Sequence, residues 1–175
     1  MSNKKQAIID AALALFSAEG YDAVSTSKIA KRARVSEGLI FRHFESKEGL
    51  LQAVLSAGDK HITNEIQHLR AIESPQEVIR RIMEAPFDME ESEYPYWRLV
   101  YALKFREGIY PEPNSSALFE LLVGALESLH YENPEMEAHL ILSYVDGFMM
   151  TLLLKSNNID KEALLKTLRS KYVSA

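Results

Sequence analysis

Residues 25–51 read STSKIAKRARVSEGLIFRHFESKEGLL, and three helix starts are written into that run. Ser25, Ser36 and Ser46 each stand where a side-chain oxygen can accept the free N–H groups at the start of a helix. Val24 with Ile29, and Val35 with Ile40, are placed as hydrophobic staples across the first two of those starts. The turn at Ala33-Arg34-Val35 is too short for the helices on either side to pack antiparallel, so they must cross steeply. That is a helix-turn-helix arrangement, whose second helix enters the major groove of DNA.

Within the helix that follows Ser36, Ile40 and Phe44 lie one turn apart and should pin it to a core, leaving Glu37, Gly38, Leu39, Phe41 and Arg42 to face outward. Arg42 suits guanine, and Glu37 can accept from cytosine N4 or simply stabilise the helix dipole. Gly38 is a poor helix residue whose benefit is close approach to the bases. Lys28 and Lys47 fall in first turns, where the macrodipole already supplies positive charge, and both make sense beside a DNA phosphate. For Lys28 a plain solvated reading stands equally open.

Working outward, MSNKKQAIIDAALALF at the N-terminus is interrupted by Asp10 and repeats apolar residues at helical spacing through Ile9, Ala12, Leu13 and Phe16. It reads as an amphipathic helix and not as a signal peptide. No segment alternates as a strand does. Helices are expected near 4–19, 26–33, 37–43, 47–71, 75–89, 95–107, 115–131, 134–155 and 160–172, giving an all-α chain of about nine helices. A DNA-binding domain is expected over 1–50, joined through the long fourth helix to a ligand-binding and dimerisation domain over 51–175. The charge agrees with that division. Residues 1–50 hold eight Lys/Arg against six Asp/Glu, and residues 51–175 hold twelve against nineteen, so +2 on the head and −7 on the body make up the net −5. There is no cysteine, which fits a reducing cytoplasmic setting, and the apolar run Leu140 to Leu154 is too short to span a membrane and contains Asp146.

The run 25–51, preceded by LFSAEGYDAVS, resembles the TetR (tetracycline-repressor) family. The matching positions are Thr26, Ile29, Ala30, Val35, Ser36, Phe41, His43, Phe44, Lys47, Glu48 and Leu50. The resemblance implies that Thr26, His43 and Lys47 hold phosphates, and Ser27, Arg34 and Ser36 complete the DNA-facing set. Two residues depart from the family pattern. Arg34 stands where the family usually has glycine, so a left-handed backbone there costs about 1 kcal/mol, which phosphate contact can offset. Phe41 replaces a tyrosine, losing a hydroxyl while keeping a ring for a thymine methyl or a sugar.

In the body, LILSYVDGFMMTLLL (140–154) is apolar on nearly every face and must be buried all round. With Leu118, Leu122 and Leu129 from the preceding helix, its Val145, Met149 and Leu152 suggest a two-fold, four-helix dimer seam, which the resemblance also implies. A central core helix in a monomer is the alternative. Trp97, Tyr101 and Phe105 form a stripe that Met83, Phe87, Met149 and Met150 can approach, either as plain core or as the apolar effector pocket that the resemblance implies, to which Tyr144 and Phe148 are also assigned. No nucleophile elbow, phosphate loop or metal-ligand pairing occurs, so neither an enzyme nor a cofactor is expected. The expected function is a homodimeric regulator, most simply a repressor of an inverted repeat in double-stranded DNA, released by a small apolar effector. A DNA-tethered protein-interaction module without an effector is the competing reading.

Overall fold

A computed structural model describes residues 3–104, 115–154 and 160–172. Among the described residues there are nine α-helices, one 3₁₀ turn and no strand. The helices are α1 (Asn3–Glu19), α2 (Thr26–Ala33), α3 (Glu37–Phe44), α4 (Lys47–Arg70), α5 (Pro75–Asp88), α6 (Tyr94–Lys104), α7 (Ser115–Ser128), α8 (Pro134–Leu153) and α9 (Lys161–Tyr172). The all-α expectation holds. The 3₁₀ turn at Glu91–Glu93 sits in the acidic break where no structure was expected.

Serine hydroxyls close three of the helix starts. The Ser25 hydroxyl accepts from the Lys28 N–H at 3.2 Å, and Ser46 from Gly49 at 3.0 Å. Ser74 accepts from Glu77 at 3.3 Å ahead of a proline at the first helical position. Ser36 is an exception: it occupies the N-cap of α3 with extended backbone but makes no side-chain cap bond. Helix ends are less conventional. Arg34 is left-handed (φ 55°, ψ 46°), with its N–H bonded to Lys31 O and the Val35 N–H to Ala30 O at 3.0 Å, which is a Schellman closure. His130 (φ 60°) ends α7 in the same way, with the Tyr131 N–H on Leu126 O at 3.1 Å.

The chain divides into two compact units. The first comprises Met1–His61 and Glu91–Tyr110. Its core joins Ile8, Ala12 and Phe16 of α1, Ile29 of α2, Ile40 and Phe44 of α3, Leu50 and Leu51 of α4, and Leu99 and Leu103 of α6. Here α1 packs on both α2 and α6. Tyr96 of α6 lies flat on α4: a Cβ at Gly58 would stand 2.0 Å from its ring, and its hydroxyl donates to Asp59 Oδ1 at 2.8 Å. Gly58 costs about 1 kcal/mol in a helix interior, and the close approach of this ring accounts for it.

The second unit comprises Ile62–Glu90 and Pro111–Ala175. Val78, Ile79 and Ile82 of α5, Leu122 and Leu126 of α7, Ala138 and Ile141 of α8 and Leu168 of α9 form its core. Glu84 is the buried charged residue of the described chain. Arg169 of α9 grips it with both arms of its guanidinium, at 2.6 and 2.9 Å, and Arg80 adds a third bond at 2.8 Å. Arg80 also pairs with Glu77, which Arg81 joins at 3.0 Å. Hydrogen bonding from Arg169, with the charges of Arg80 and Arg169, holds the Glu84 carboxyl below its ordinary value against the opposing effect of burial. Glu77, bonded chiefly by Arg80, is lowered to about 2. Among the described residues no helix is long and apolar enough to cross a membrane.

Both carboxylates have depressed values in the folded state, so their stabilisation is complete above the ordinary value of 4.5 and is lost as pH falls below it, for Glu77 down towards about 2. Acid unfolding of the second unit should therefore begin below about pH 4.5. Arg169→Ala should lower the urea midpoint at pH 7, and by progressively less as pH falls through that window. An unchanged urea midpoint at pH 7 would show that the clamp on α9 contributes nothing.

Candidate nucleic-acid interface

The interface begins with what pins α3. Ile40 is 0% exposed and Phe44 is 6% exposed, one helical turn apart, so one face of this eight-residue helix is committed to the core. Burying each such side chain is worth about 1.5–3 kcal/mol, enough to fix the rotation of a helix this short. Glu37, Gly38, Phe41 and Arg42 are consequently exposed, and Leu39 and His43 are half-buried. Phe41 presents 46% of its surface to solvent. A Cβ at Gly38 would meet no atom of the chain, so packing does not demand glycine there.

Around this face, Ser27, Lys31, Arg32, Arg34 and Ser36 are exposed. The residues expected to touch phosphate already have partners within the head. Lys28 pairs with Glu19. The Lys47 ammonium sits 4.3 Å over the Tyr21 ring and donates to Asp22 O at 3.4 Å. Tyr21 in turn donates to Glu48 at 3.1 Å. Hydrogen bonds from the Glu48 backbone, Tyr21 and Ser46 hold the Glu48 carboxyl below its ordinary range. Thr26 and Glu37, from the starts of α2 and α3, are joined by a hydrogen bond of 2.5 Å. No sequence signal flagged that bond, since the two residues lie eleven apart and on different helices.

The residues assigned to the body fall out differently. Leu122 (0% exposed) is buried in the second unit's core, and Met149 is 6% exposed, so neither of these two residues assigned to a dimer seam presents much side-chain surface. Leu118, Leu129, Val145 and Leu152 are half-buried. The exposed apolar side chains of α8 are Met136, Leu140, Tyr144 and Met150, with Leu154 at its C-cap, and most of them lie on the side opposite Val145 and Met149. The two faces could not be told apart in a sequence that is apolar on both. Of the expected ligand residues, Phe87, Phe148 and Tyr144 form a run of ring contacts in the second unit, at 5.4 and 6.4 Å between centroids. Met83 is buried in that unit's core. Trp97 and Tyr101 belong to the first unit, half-buried beside its core positions Tyr96, Leu99, Val100 and Leu103. Phe105 lies outside the described residues. Among the described residues no three His, Asp or Glu side chains gather to hold a metal ion.

A short helix locked by its inner face, following a tight left-handed turn and presenting an aromatic ring and an arginine outward, defines a helix-turn-helix DNA-binding protein. Residues 8–54 match the bacterial regulatory proteins of the tetR family. The chain is 28% identical over 173 residues to the transcriptional regulator BetI of Yersinia pestis, covering 93% of this chain and 87% of that one. Its head is 49% identical over 55 residues to the regulator YvkB of Bacillus subtilis, a match spanning 31% of this chain and 28% of YvkB. A TetR-like transcriptional regulator from Rhodococcus sp. RHA1 superposes with a TM-score of 0.79 at 22% identity, covering 97% of this chain and 93% of that one. AibR, solved with isovaleryl coenzyme A and operator DNA, superposes with a TM-score of 0.66 at 18% identity, over 85% and 86% of the two chains. In its head the chain matches the tetR family, and over most of its length it is similar to a transcriptional regulator.

Gly38→Ala separates packing from DNA contact. With open space at that Cβ, alanine should stabilise the free protein by up to ~1 kcal/mol. DNA affinity should nevertheless fall, because the added methyl group occupies the space through which α3 approaches the bases. A melting temperature that rises while binding stays intact would remove Gly38 from the interface.

Proposed function

We propose that this regulator is a repressor that binds an inverted repeat as a homodimer and is released by a small apolar molecule. Residues 1–50 read the DNA, and residues 51–175 dimerise and take the effector. The observation that carries the reading is α3, held by Ile40 and Phe44 so that Gly38, Phe41 and Arg42 face outward. Arg42 is assigned to a guanine, and Phe41 and Leu39 to thymine methyl groups or sugars. Ser27, Arg34, Ser36 and His43 are assigned to the phosphates, with Lys28 and Lys47 reaching them from their present partners.

The dimer is assigned to the outward stripe of α8. Met136, Leu140, Tyr144 and Leu154 are too large and too closely spaced to be ordinary scattered surface residues. Met136, Leu140 and Leu154 fall on one strip of the helix. The half-buried Leu118, Leu129, Val145 and Leu152 remain assigned to the dimer beside it. The effector is assigned to the body. The rings of Phe87 and Phe148, next to Tyr144 in the second unit, supply a stacking surface, and the half-buried Trp97 and Tyr101 of the first unit are a separate candidate surface. The AibR complex with both an acyl coenzyme A and operator DNA supports a ligand-responsive repressor.

The test is footprinting of the purified protein on sequences selected from random DNA. Two protected half-sites should appear, with centres ~34–36 Å or a multiple of that apart. Leu140→Glu, at a side chain 49% exposed and so tolerated by the monomer, should convert the dimer to a folded monomer and abolish the double footprint. A single half-site bound equally well by the variant would overturn the dimer.

Trp97, the sole tryptophan, gives a separate reading of the effector. Planar apolar compounds that change its fluorescence should also release the selected DNA. Near-complete release requires a preference of ~5.5 kcal/mol for the non-binding state. Compounds that bind without any release would refute the regulatory part of the proposal alone.

A further inference from the structure

The bond between Thr26 and Glu37 changes what each residue can do. A threonine hydroxyl has a single proton, and here that proton lies on Glu37 Oε1 at 2.5 Å, the length of a charge-assisted O–H···O⁻ bond. Phosphate oxygens offer no proton at neutral pH beyond what the protein donates. A hydroxyl whose proton is already given away therefore has nothing to give a phosphate. Thr26 is thus not free to hold the DNA backbone while this bond stands.

Glu37 gains what Thr26 gives up. Its carboxylate is at the first position of α3, exposed, next to Gly38, where the chain leaves open space. Free glutamate side chains sample many rotamers; tying Oε1 to the start of α2 fixes this one. Oε2 remains an acceptor with no bonded partner among the contacts described for it. Near DNA a fixed negative charge is repelled by phosphates and is worth keeping only where a donor meets it. In the major groove the donors on base edges are the exocyclic amino groups, cytosine N4 and adenine N6.

We infer that Glu37 is a specificity-determining residue that accepts a hydrogen bond from a base amino group, and that Thr26 is the positioning residue that aims it. The inference rests on the reading of α3 as the DNA-facing helix. The same carboxylate discriminates against a guanine O6 or thymine O4 at that position, because two acceptors then face each other.

The experiment is selection from random DNA, followed by affinity and salt titrations on the selected and on unrelated sequences. The proteins compared are the wild type, Glu37→Gln, Thr26→Val and Thr26→Ser. The wild type should enrich an amino-bearing base at one position of each half-site. Glu37→Gln should move the preference at that position towards adenine, which a glutamine amide pairs in bidentate fashion. Thr26→Val keeps the shape of the side chain and removes the hydroxyl. It should cut discrimination at that one position by roughly tenfold, leaving binding to unrelated DNA and the salt slope unchanged. Thr26→Ser should restore discrimination.

Two outcomes would overturn the inference while leaving the DNA-binding reading intact. One is a Thr26→Val protein that weakens on all sequences alike with a salt slope reduced by about one unit, the signature of a lost phosphate contact. The other is a Glu37→Gln protein that does not favour adenine at that position. A wild-type protein that enriches no sequence would overturn the DNA-binding reading itself, and the inference with it.

Discussion

The head depends on one backbone constraint, the left-handed residue at Arg34. Three residues connect α2 to α3, and the direction in which α3 leaves is set by the pair of bonds from Arg34 and Val35 back onto α2. A non-glycine residue in this conformation costs about 1–2 kcal/mol. Ile29 and Ile40 on the two sides of the turn are both wholly buried, at about 1.5–3 kcal/mol each, so the core outweighs the strain. With the turn closed and Ile40 and Phe44 seated, α3 has no remaining rotational freedom. The identity of its outward residues is then a consequence of helical geometry alone. Arginine in place of glycine also leaves an exposed guanidinium at the turn, a charge that glycine would not carry.

Features written in short-range chemistry were legible from the sequence. Ser25 and Ser46 cap helices because a hydroxyl three residues before an N–H reaches it whatever the rest of the chain does. The inward pair Ile40 and Phe44 was legible for the same reason. Ser36 was misread as a side-chain cap, since residue type and position permit such a bond without requiring it. The closure at His130 passed unseen because glycine is the usual flag for a left-handed helix end.

What depends on tertiary partners was hidden. The residues Tyr96, Leu99, Val100 and Leu103 would read the same whichever helix they met, and their packing beside α1 is a matter of long-range contact. On α8 both faces are apolar, so periodicity could not say which one the second unit keeps for itself. The hydrogen bond from Thr26 to Glu37 joins residues whose individual readings, phosphate and base, made no reference to each other. Buried charge was hidden for a similar reason. Glu84 looks like any surface glutamate until α9 brings Arg169 to it across 85 positions of sequence.

A common pattern runs through the polar residues of the head. Lys28 is held by Glu19, Lys47 by the Tyr21 ring and Asp22, and Thr26 by Glu37. Attraction between loose surface cations and phosphate is independent of sequence and grows with every cation available. Cations engaged inside the head contribute less to that general attraction, and an acidic body adds none. The side chains are also ordered before DNA arrives, so binding does not bear the full entropy of fixing them. Weakening the general term while ordering the specific one raises the ratio between operator and random DNA. That ratio, and not raw affinity, decides occupancy among a genome's competing sites. In such a head the discriminating contacts fall to α3, where Glu37, Phe41 and Arg42 face outward from a helix that cannot turn.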